Sequence, residues 1–186
     1  MGNYLAFDLG ASSGRAIVGT LNNGKISLCE VHRFSNGPKE VNNSLFWDYE
    51  TLEKELITGL GKALQRGVKL DGISIDTWGV DYLIFDRDTK KALRPPYNYR
   101  DSRTLASAAK LKEIISDSQL YEATGIQYMT INSIFQLAAH CEQHPEDMKN
   151  GVFLPIPDAL AFALGGDFTA EYTHCSTFAL LDPETR

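Results

Sequence analysis

AFDLGASSGRAIVG, residues 6–19, sets an acid, a Gly/Ser turn and an arginine between two apolar runs. Tyr4 to Phe7 is a short apolar strand closed by Asp8, and Arg15 to Leu21 is a second strand. Between them, Gly10-Ala11-Ser12-Ser13-Gly14 has little side-chain bulk. That predicts a tight β-hairpin whose backbone N–H groups a phosphate can approach. Ser12 and Ser13 add hydroxyl donors and Arg15 a charged one, while Asp8 offers the carboxylate oxygens that magnesium prefers. The stretch has no G-x-x-x-x-G-K-[ST] loop and leads into a strand rather than a helix, so neither common nucleotide fingerprint applies. Taken alone, it also fits a plain hairpin turn in a β-meander.

Working outward, Asn22-Asn23-Gly24 predicts a second hairpin into a third strand, Lys25 to Phe34. There Ile26, Leu28 and Glu30 alternate with Ser27, Cys29 and Val31, which leaves its inward face open. FSNGPKEVNNS, residues 34–44, reads as loop. Asp48 can cap a helix whose apolar face is Tyr49, Leu52, Leu56, Leu60 and Ala63, with Gly67 ending it. In DGISIDTWGVDYLIFD, residues 71–86, Ile73 and Ile75 predict a buried strand, Trp78-Gly79 interrupts it, and Tyr82 to Phe85 resume it. The order of three strands, a helix and a further strand is mixed α/β.

Further on, LRPPYNYRDSRT (residues 93–104) is irregular. A helix from about Ser102 would face inward through Leu105, Ala108, Leu111 and Ile115. Ser133 has the chemistry of a helix cap, with Ile134, Leu137, Ala138 and Cys141 at inward spacing. Residues 152–166 read as a short strand and a helix stopped by Gly165-Gly166, and residues 168–186 as a hairpin or loop without a stop signal.

The bulk numbers narrow the classes. With 186 residues, length favours one core. A net charge of -6 argues against a nucleic-acid or anionic-membrane surface. No apolar run approaches the roughly 18 residues of a membrane span, and the start lacks a signal peptide's basic and apolar segments. Cys29, Cys141 and Cys175 are odd in number and widely spaced, so neither a disulfide framework nor a zinc site follows. His32, His140, His144 and His174 show no metal-ligand spacing and read as surface or structural. A cytoplasmic protein is expected.

Two further clusters carry chemistry. In IDTWGVD, residues 75–81, Asp76 and Asp81 bracket Trp78-Gly79 where a strand stops, a common place for ligand-facing residues in α/β sheets. Trp78 could stack on a sugar, Gly79 admit it to the backbone, and Asp81 accept its hydroxyls; a buried tryptophan beside a turn glycine and two solvated acids is the plainer alternative. In YRDSRT, residues 99–104, Tyr, Arg and Asp make a candidate polyol wall. The equal alternative is Asp101 as a helix cap with Arg103 paired to it.

DLGASSGR (8–15), IDTWGVD, YRDSRT, TGIQ (124–127) and Asn132-Ser133 occur in an order and spacing that resemble the FGGY carbohydrate kinases of the actin-like ATPase superfamily, as does HRFSNG (32–37). The branch resembled most is the one acting on L-rhamnulose. The resemblance spans essentially the whole chain. It implies an α/β fold of the actin-like, ribonuclease H-like type, a mixed β-sheet flanked by helices, truncated here: residues 1–186 are an incomplete N-terminal domain without the second, adenine-binding domain. It implies ATP and Mg2+, with Asp8 placing the metal and Ala11, Ser12, Ser13, Gly14 and Arg15 contacting phosphates. Gly79 would lie against the sugar, with Trp78, Arg100 and Asn132 as further wall candidates. The γ-phosphoryl group would pass to the 1-hydroxyl of L-rhamnulose, using an aspartate base that lies beyond Arg186. The fragment alone would then be inactive and could self-associate through apolar surface exposed by truncation. The alternatives are another kinase of the family, acting on L-fuculose, xylulose or a related polyol, or a non-catalytic sugar- or nucleotide-binding module.

Overall fold

A computed structural model describes residues 1–185. Where length favours one core, the chain forms two compact units. The first comprises Met1–Gly37, Asp48–Trp78 and Leu160–Asp167; the second comprises Pro38–Trp47, Gly79–Ala159 and Phe168–Arg186.

The first unit is built on a four-stranded mixed sheet of β1 (Gly2–Leu9), β2 (Ser13–Asn22), β3 (Lys25–Ser35) and β6 (Gly72–Asp76), in the order β3-β2-β1-β6. The meander is antiparallel, and β6 runs parallel to β1. Asn23 and Gly24 take φ of 49° and 75°, the left-handed pair that closes a two-residue hairpin. Asp48 caps α1 (Tyr49–Gln65) through Thr51, as expected, and Gly67 at φ 71° follows its end. α1 buries Leu52, Leu56 and Ala63, and its Gly59 lies so close to the sheet that a Cβ would stand 2.8 Å from Phe7 and 2.9 Å from Ala16. Leu5, Phe7 and Leu9 of β1 and Ala16 and Val18 of β2 complete this core. At the sheet's edges one expectation changes and the open face of β3 is resolved. Ile73 on β6 is 44% exposed rather than buried, and Ile26 and Leu28 on β3 face solvent, because an edge strand has cover from one neighbour only.

The second unit holds two two-stranded antiparallel sheets and a helical cluster. β7 (Tyr82–Asp86) does not resume the first sheet; it pairs antiparallel with β8 (Gly151–Pro155). The stretch read as loop at 34–44 contains β4 (Pro38–Val41), which pairs with β5 (Ser44–Trp47). Asn42 and Asn43, at φ 52° and 63°, make the turn, since asparagine tolerates the left-handed region. α2 runs Thr104–Lys112, shorter than expected, and Leu105 points outward while Ala108 is buried. α3 (Asp117–Thr124), absent from the sequence expectations, starts at a Ser116/Gln119 capping box and ends at Gly125.

α4 (Ser133–Gln143) is capped at Asn132, one residue earlier than expected. Its buried residues are Ser133, Phe135, Gln136, Ala139 and His140; of those expected to face inward, Ile134 packs on the core, Leu137 and Ala138 are half-buried and Cys141 is exposed. Gln136 and His140, polar side chains invisible to an apolar-period argument, rotate the helix. Ala108, Leu120, Phe135 and Ala179 form the core of this cluster, with Leu111, Ile115, Ile126, Tyr128 and Ile134 packed on it. Strand β8 and α5 (Ile156–Ala163) follow as predicted, with Gly165 at φ 92° after the helix. The segment from 168 forms α6 (Tyr172–Cys175) and a 3-10 turn at Ser176–Phe178 instead of a hairpin, started by the Glu171 carboxylate accepting from His174 N. Among the described residues, no helix is long and apolar enough to cross a membrane.

Candidate functional site

The ends of β1 and β2 bring Asp8 and Arg15 directly across from one another. Arg15 donates from Nε (2.8 Å) and Nη2 (2.6 Å) to the same Asp8 oxygen, Oδ2. Both side chains are 44% exposed, so the pair itself contributes at most about 1 kcal/mol to stability. Between them, the turn's carbonyls are tied back: Gly10 N donates to Ser13 O (2.8 Å), Asn36 Nδ2 to Gly10 O (2.8 Å) and Asn36 N to Ser12 O (3.0 Å). Gly37 N in turn fixes Asn36 Oδ1 (2.9 Å). The N–H groups of Ala11 and Ser12 and the hydroxyls of Ser12 and Ser13 have no partner among the described residues. With the carbonyls of Gly10, Ser12 and Ser13 engaged and these donors open, the turn has the donor pattern an anion can use.

Gly14 has a different reason to be glycine. A Cβ there would fall 2.2 Å from the Phe34 ring and 2.8 Å from Leu9. Packing under the turn demands it.

Asp76, at the end of β6, lies in parallel register beside Asp8 and is exposed. Paired residues on adjacent strands project to the same face, so two carboxylates stand together at the C-terminal ends of neighbouring parallel strands. Asp8 Oδ1 carries no bond among the described residues. Among those residues no cluster of three or more His, Cys, Asp or Glu could hold a metal. One or two carboxylates with the remaining positions left to water and phosphate is how magnesium is ordinarily bound, so the residues fit that ion as part of Mg-ATP.

The second turn is at residues 78–81. Trp78 is half-buried and ends a segment of the first unit; Gly79 is exposed and opens a segment of the second. A Cβ on Gly79 would meet Thr177 Oγ1 at 3.3 Å. Val80 takes φ 67°, a left-handed conformation that costs a β-branched residue about 1–3 kcal/mol. It is held from α4: Ser133 Oγ donates to Val80 O (2.5 Å), and Gln136 Nε2 approaches the same oxygen (3.3 Å). Asp81 is 1% exposed, so it is neither the sugar-facing nor the solvated acid that the sequence left open. Its Oδ2 accepts from Trp47 Nε1 (2.5 Å) and Tyr99 N (3.2 Å), and its Oδ1 from Gln136 Nε2 (2.8 Å). Three protein donors occupy the carboxylate, so it anchors the turn.

In the YRDSRT stretch, Arg100 is exposed, with its guanidinium 5.0 Å from the Tyr99 ring centre. Asp101 is buried and accepts from Leu45 N (2.7 Å) and Arg103 N (2.9 Å). It does not pair with the Arg103 side chain, which lies over Tyr97 at 3.7 Å. Asn132 is fully buried; its Nδ2 donates to Gln127 O (2.9 Å), and its Oδ1 has no partner. Of the sugar-wall candidates, Gly79 and Arg100 are therefore open to solvent and Asn132 is not.

Elsewhere in the second unit, Asp147 Oδ2 accepts from Arg94 Nε (2.6 Å) and meets His140 Nε2 (3.1 Å). Burial pushes the His140 imidazole below its usual pKa despite the Asp147 bond. Burial also works to raise Asp147, but Arg94 and His140 together bring it below the usual carboxylate range. Burial raises the Tyr82 hydroxyl to about 12. A groove of about 760 Å3 along α1, lined by Glu50, Glu53, Lys54, Ile57 and Leu164 among others, includes none of the candidate residues.

Asn36, Ser133 and Gln136 were not singled out as turn-holding residues by sequence. The first sits in the SNG of residues 35–37; the other two are three apart, the spacing that shares a helix face.

A family model described as "FGGY family of carbohydrate kinases, N-terminal domain" matches residues 3–186. A rhamnulokinase of Yersinia pestis bv. Antiqua (strain Angola) is 39% identical over 184 residues, 97% of this chain and 38% of that protein. A rhamnulokinase of Bacteroides thetaiotaomicron is 40% identical over 185 residues, 99% and 38% of the two chains. The chain thus spans 38% of the length of these relatives. Among solved structures, the ligand-bound xylulose kinase of Lactobacillus acidophilus superposes with a TM-score of 0.85 at 14% identity, covering 100% of this chain and 38% of that one. Plasmodium falciparum glycerol kinase with ADP gives 0.83 at 19% identity with the same coverage. At such identities these structures carry the fold, which is the expected sugar-kinase fold of the actin-like type.

Proposed function

The chain belongs to the FGGY family of carbohydrate kinases, and on that premise we propose that it is the N-terminal part of an ATP-dependent ketose kinase acting on the 1-hydroxyl of L-rhamnulose. The observation that carries the choice of sugar is the likeness, at 39–40% identity along nearly all of this chain, to relatives named rhamnulokinase. The geometry supports the phosphate side. Phosphoryl transfer needs positioning and charge stabilisation more than covalent help from the protein. The free N–H groups of Ala11 and Ser12 and the hydroxyls of Ser12 and Ser13 would hold ATP phosphate oxygens, with Gly14 setting the close packing beneath them. Arg15, now on Asp8, would share its charge with the same phosphates. Asp8, with Asp76 alongside, would hold Mg2+, which when bound neutralises charge on the phosphate oxygens.

Gly79 would lie against the sugar, with Trp78 and Arg100 as neighbouring wall residues. Asn132 would support that wall from behind rather than touch the sugar. The base that takes the hydroxyl proton is assigned to none of residues 1–186, so turnover is expected of the full-length protein and not of this fragment. A cytoplasmic location accompanies this function.

Sugar-dependent ADP release by the full-length protein, with L-rhamnulose, L-fuculose, D-xylulose and glycerol side by side, tests it. The expected result is a kcat/KM for L-rhamnulose at least about tenfold above the others, roughly 1.4 kcal/mol of transition-state discrimination. A clear preference for another acceptor reassigns the sugar; no sugar-dependent release with any of them removes the kinase function.

A further inference from the structure

We propose that Ser133 and Gln136 are positioning residues that hold the Gly79–Asp81 turn in the shape that meets the sugar, a role that rests on the kinase function proposed above. The turn is anchored through Val80 and Asp81. The Val80 carbonyl accepts from Ser133 Oγ at 2.5 Å, the Asp81 carboxylate from Gln136, Trp47 and Tyr99, and the Asp81 carbonyl from Ile156 N at 3.1 Å. Gly79 has no side chain and is exposed, so nothing of its own fixes it. What relates it to the anchored side is the φ of Val80, because rotation about that bond sets the direction in which the Gly79–Val80 peptide leaves the Val80–Asp81 segment. That φ is 67°, where glycine sits easily and a β-branched residue does not.

Val80 therefore keeps this shape because its carbonyl is held, and the hold comes from two polar side chains on one face of α4. Ser133 is 0% and Gln136 1% exposed. Buried polar groups at inward helix positions have their bonds made, and here they reach the Val80 oxygen and the Asp81 carboxylate, with Gln136 Nε2 also on Ile131 O (3.0 Å). Releasing them lets Val80 relax to negative φ and re-aims the peptide that faces the sugar, while the phosphate turn at residues 10–13 is untouched.

The test is steady-state kinetics on the full-length protein, measuring KM for L-rhamnulose, KM for ATP and kcat. Ser133→Ala is expected to raise the sugar KM by about tenfold while the ATP KM stays within about twofold. A double-mutant cycle with Val80→Gly separates positioning from general packing. Since glycine adopts φ 67° unaided, Ser133→Ala in the V80G background is expected to raise the sugar KM less than about threefold. Thermal melts accompany each variant. If S133A melts below the assay temperature, Ser133→Cys, which keeps the size and a weak donor, replaces it with the same expected direction. An unchanged sugar KM in a folded Ser133 variant, equal rises in both KM values, or the same rise in both backgrounds overturns the role. Failure of the wild type to turn over any sugar overturns the kinase function, and this role with it.

Discussion

The turn at residues 10–13 and the turn at residues 79–81 are held by opposite means. In the first, the chain needs no strained residue: Asn36 ties back two carbonyls, and Arg15 and Asp8 pair across the strand ends at the surface. In the second, a valine sits at φ 67°, and its neighbour Asp81 is buried under bonds from Trp47, Tyr99 and Gln136. The first turn takes one distant side chain, Asn36, and stays open to solvent. The second turn is locked from behind by residues 47, 99, 133 and 136, as the proposed sugar contact at Gly79 would need. The difference teaches where each site is fragile: the first through charge, the second through stability.

The largest effect follows from that contrast. Asp81→Ala leaves Trp47 Nε1, Tyr99 N and Gln136 Nε2 without their acceptor, and is expected to cost about 3–5 kcal/mol. Arg15→Ala, removing an exposed pair, is expected to cost at most about 1 kcal/mol. Urea unfolding of the two variants measures both, and equal costs would erase the comparison.

Glycines sharpen it next. Gly14→Ala would drive a Cβ to 2.2 Å from the Phe34 ring, an overpacking expected to cost about 1–3 kcal/mol. Gly79→Ala meets only the Thr177 hydroxyl at 3.3 Å and is expected to cost less than about 0.5 kcal/mol. The same substitution should therefore lower the melting temperature at residue 14 and leave it nearly unchanged at residue 79.

At the turn proposed to meet phosphate, Asn36→Ala frees the Gly10 carbonyl to face the anion. An increase of about tenfold in the ATP KM is expected, with the sugar KM unchanged. It is the mirror image of the Ser133 result, and a rise in both constants would contradict the division of labour.

The smallest effect is on pH. Asp147 has a folded pKa below its unfolded value near 3.8, so its contribution is complete above that pH and disappears as pH falls through the folded pKa. His140 is held below 6.5 by burial, so protonation opposes folding as pH drops below that value. Both act in one direction: stability falls on the acid side. Asp147→Asn should weaken the acid-side slope below pH 4, measured by unfolding at a series of pH values; an unchanged slope would remove Asp147 from this account.

The same contrast explains what was legible in the sequence. Asp8, the Gly/Ser turn and Arg15 lie within eight consecutive residues, and the strand pattern around them carried the mixed sheet, the hairpin at Asn23-Gly24 and the Asp48 cap. The Asn42-Asn43 hairpin was hidden because its strands are four residues each and polar. The face of α4 was misassigned because Gln136 and His140 turn inward to meet Asp81 and Asp147. Periodicity counts apolar residues and passes over polar ones whose partners lie far away in the chain. Asp81 was left as either a ligand-facing or a solvated acid for the same reason: its three donors come from residues 47, 99 and 136.

The most direct test of the central claim, that the exposed turn at the end of β1 is the ATP-phosphate site of a ketose kinase, is Asp8→Ala in the full-length protein at saturating L-rhamnulose and Mg-ATP. Because Asp8 is exposed and its pair with Arg15 is weak in stability, the variant is expected to melt like the wild type. Turnover is expected to fall by about 10²-fold or more. A folded variant that keeps wild-type kcat and ATP KM would contradict the account.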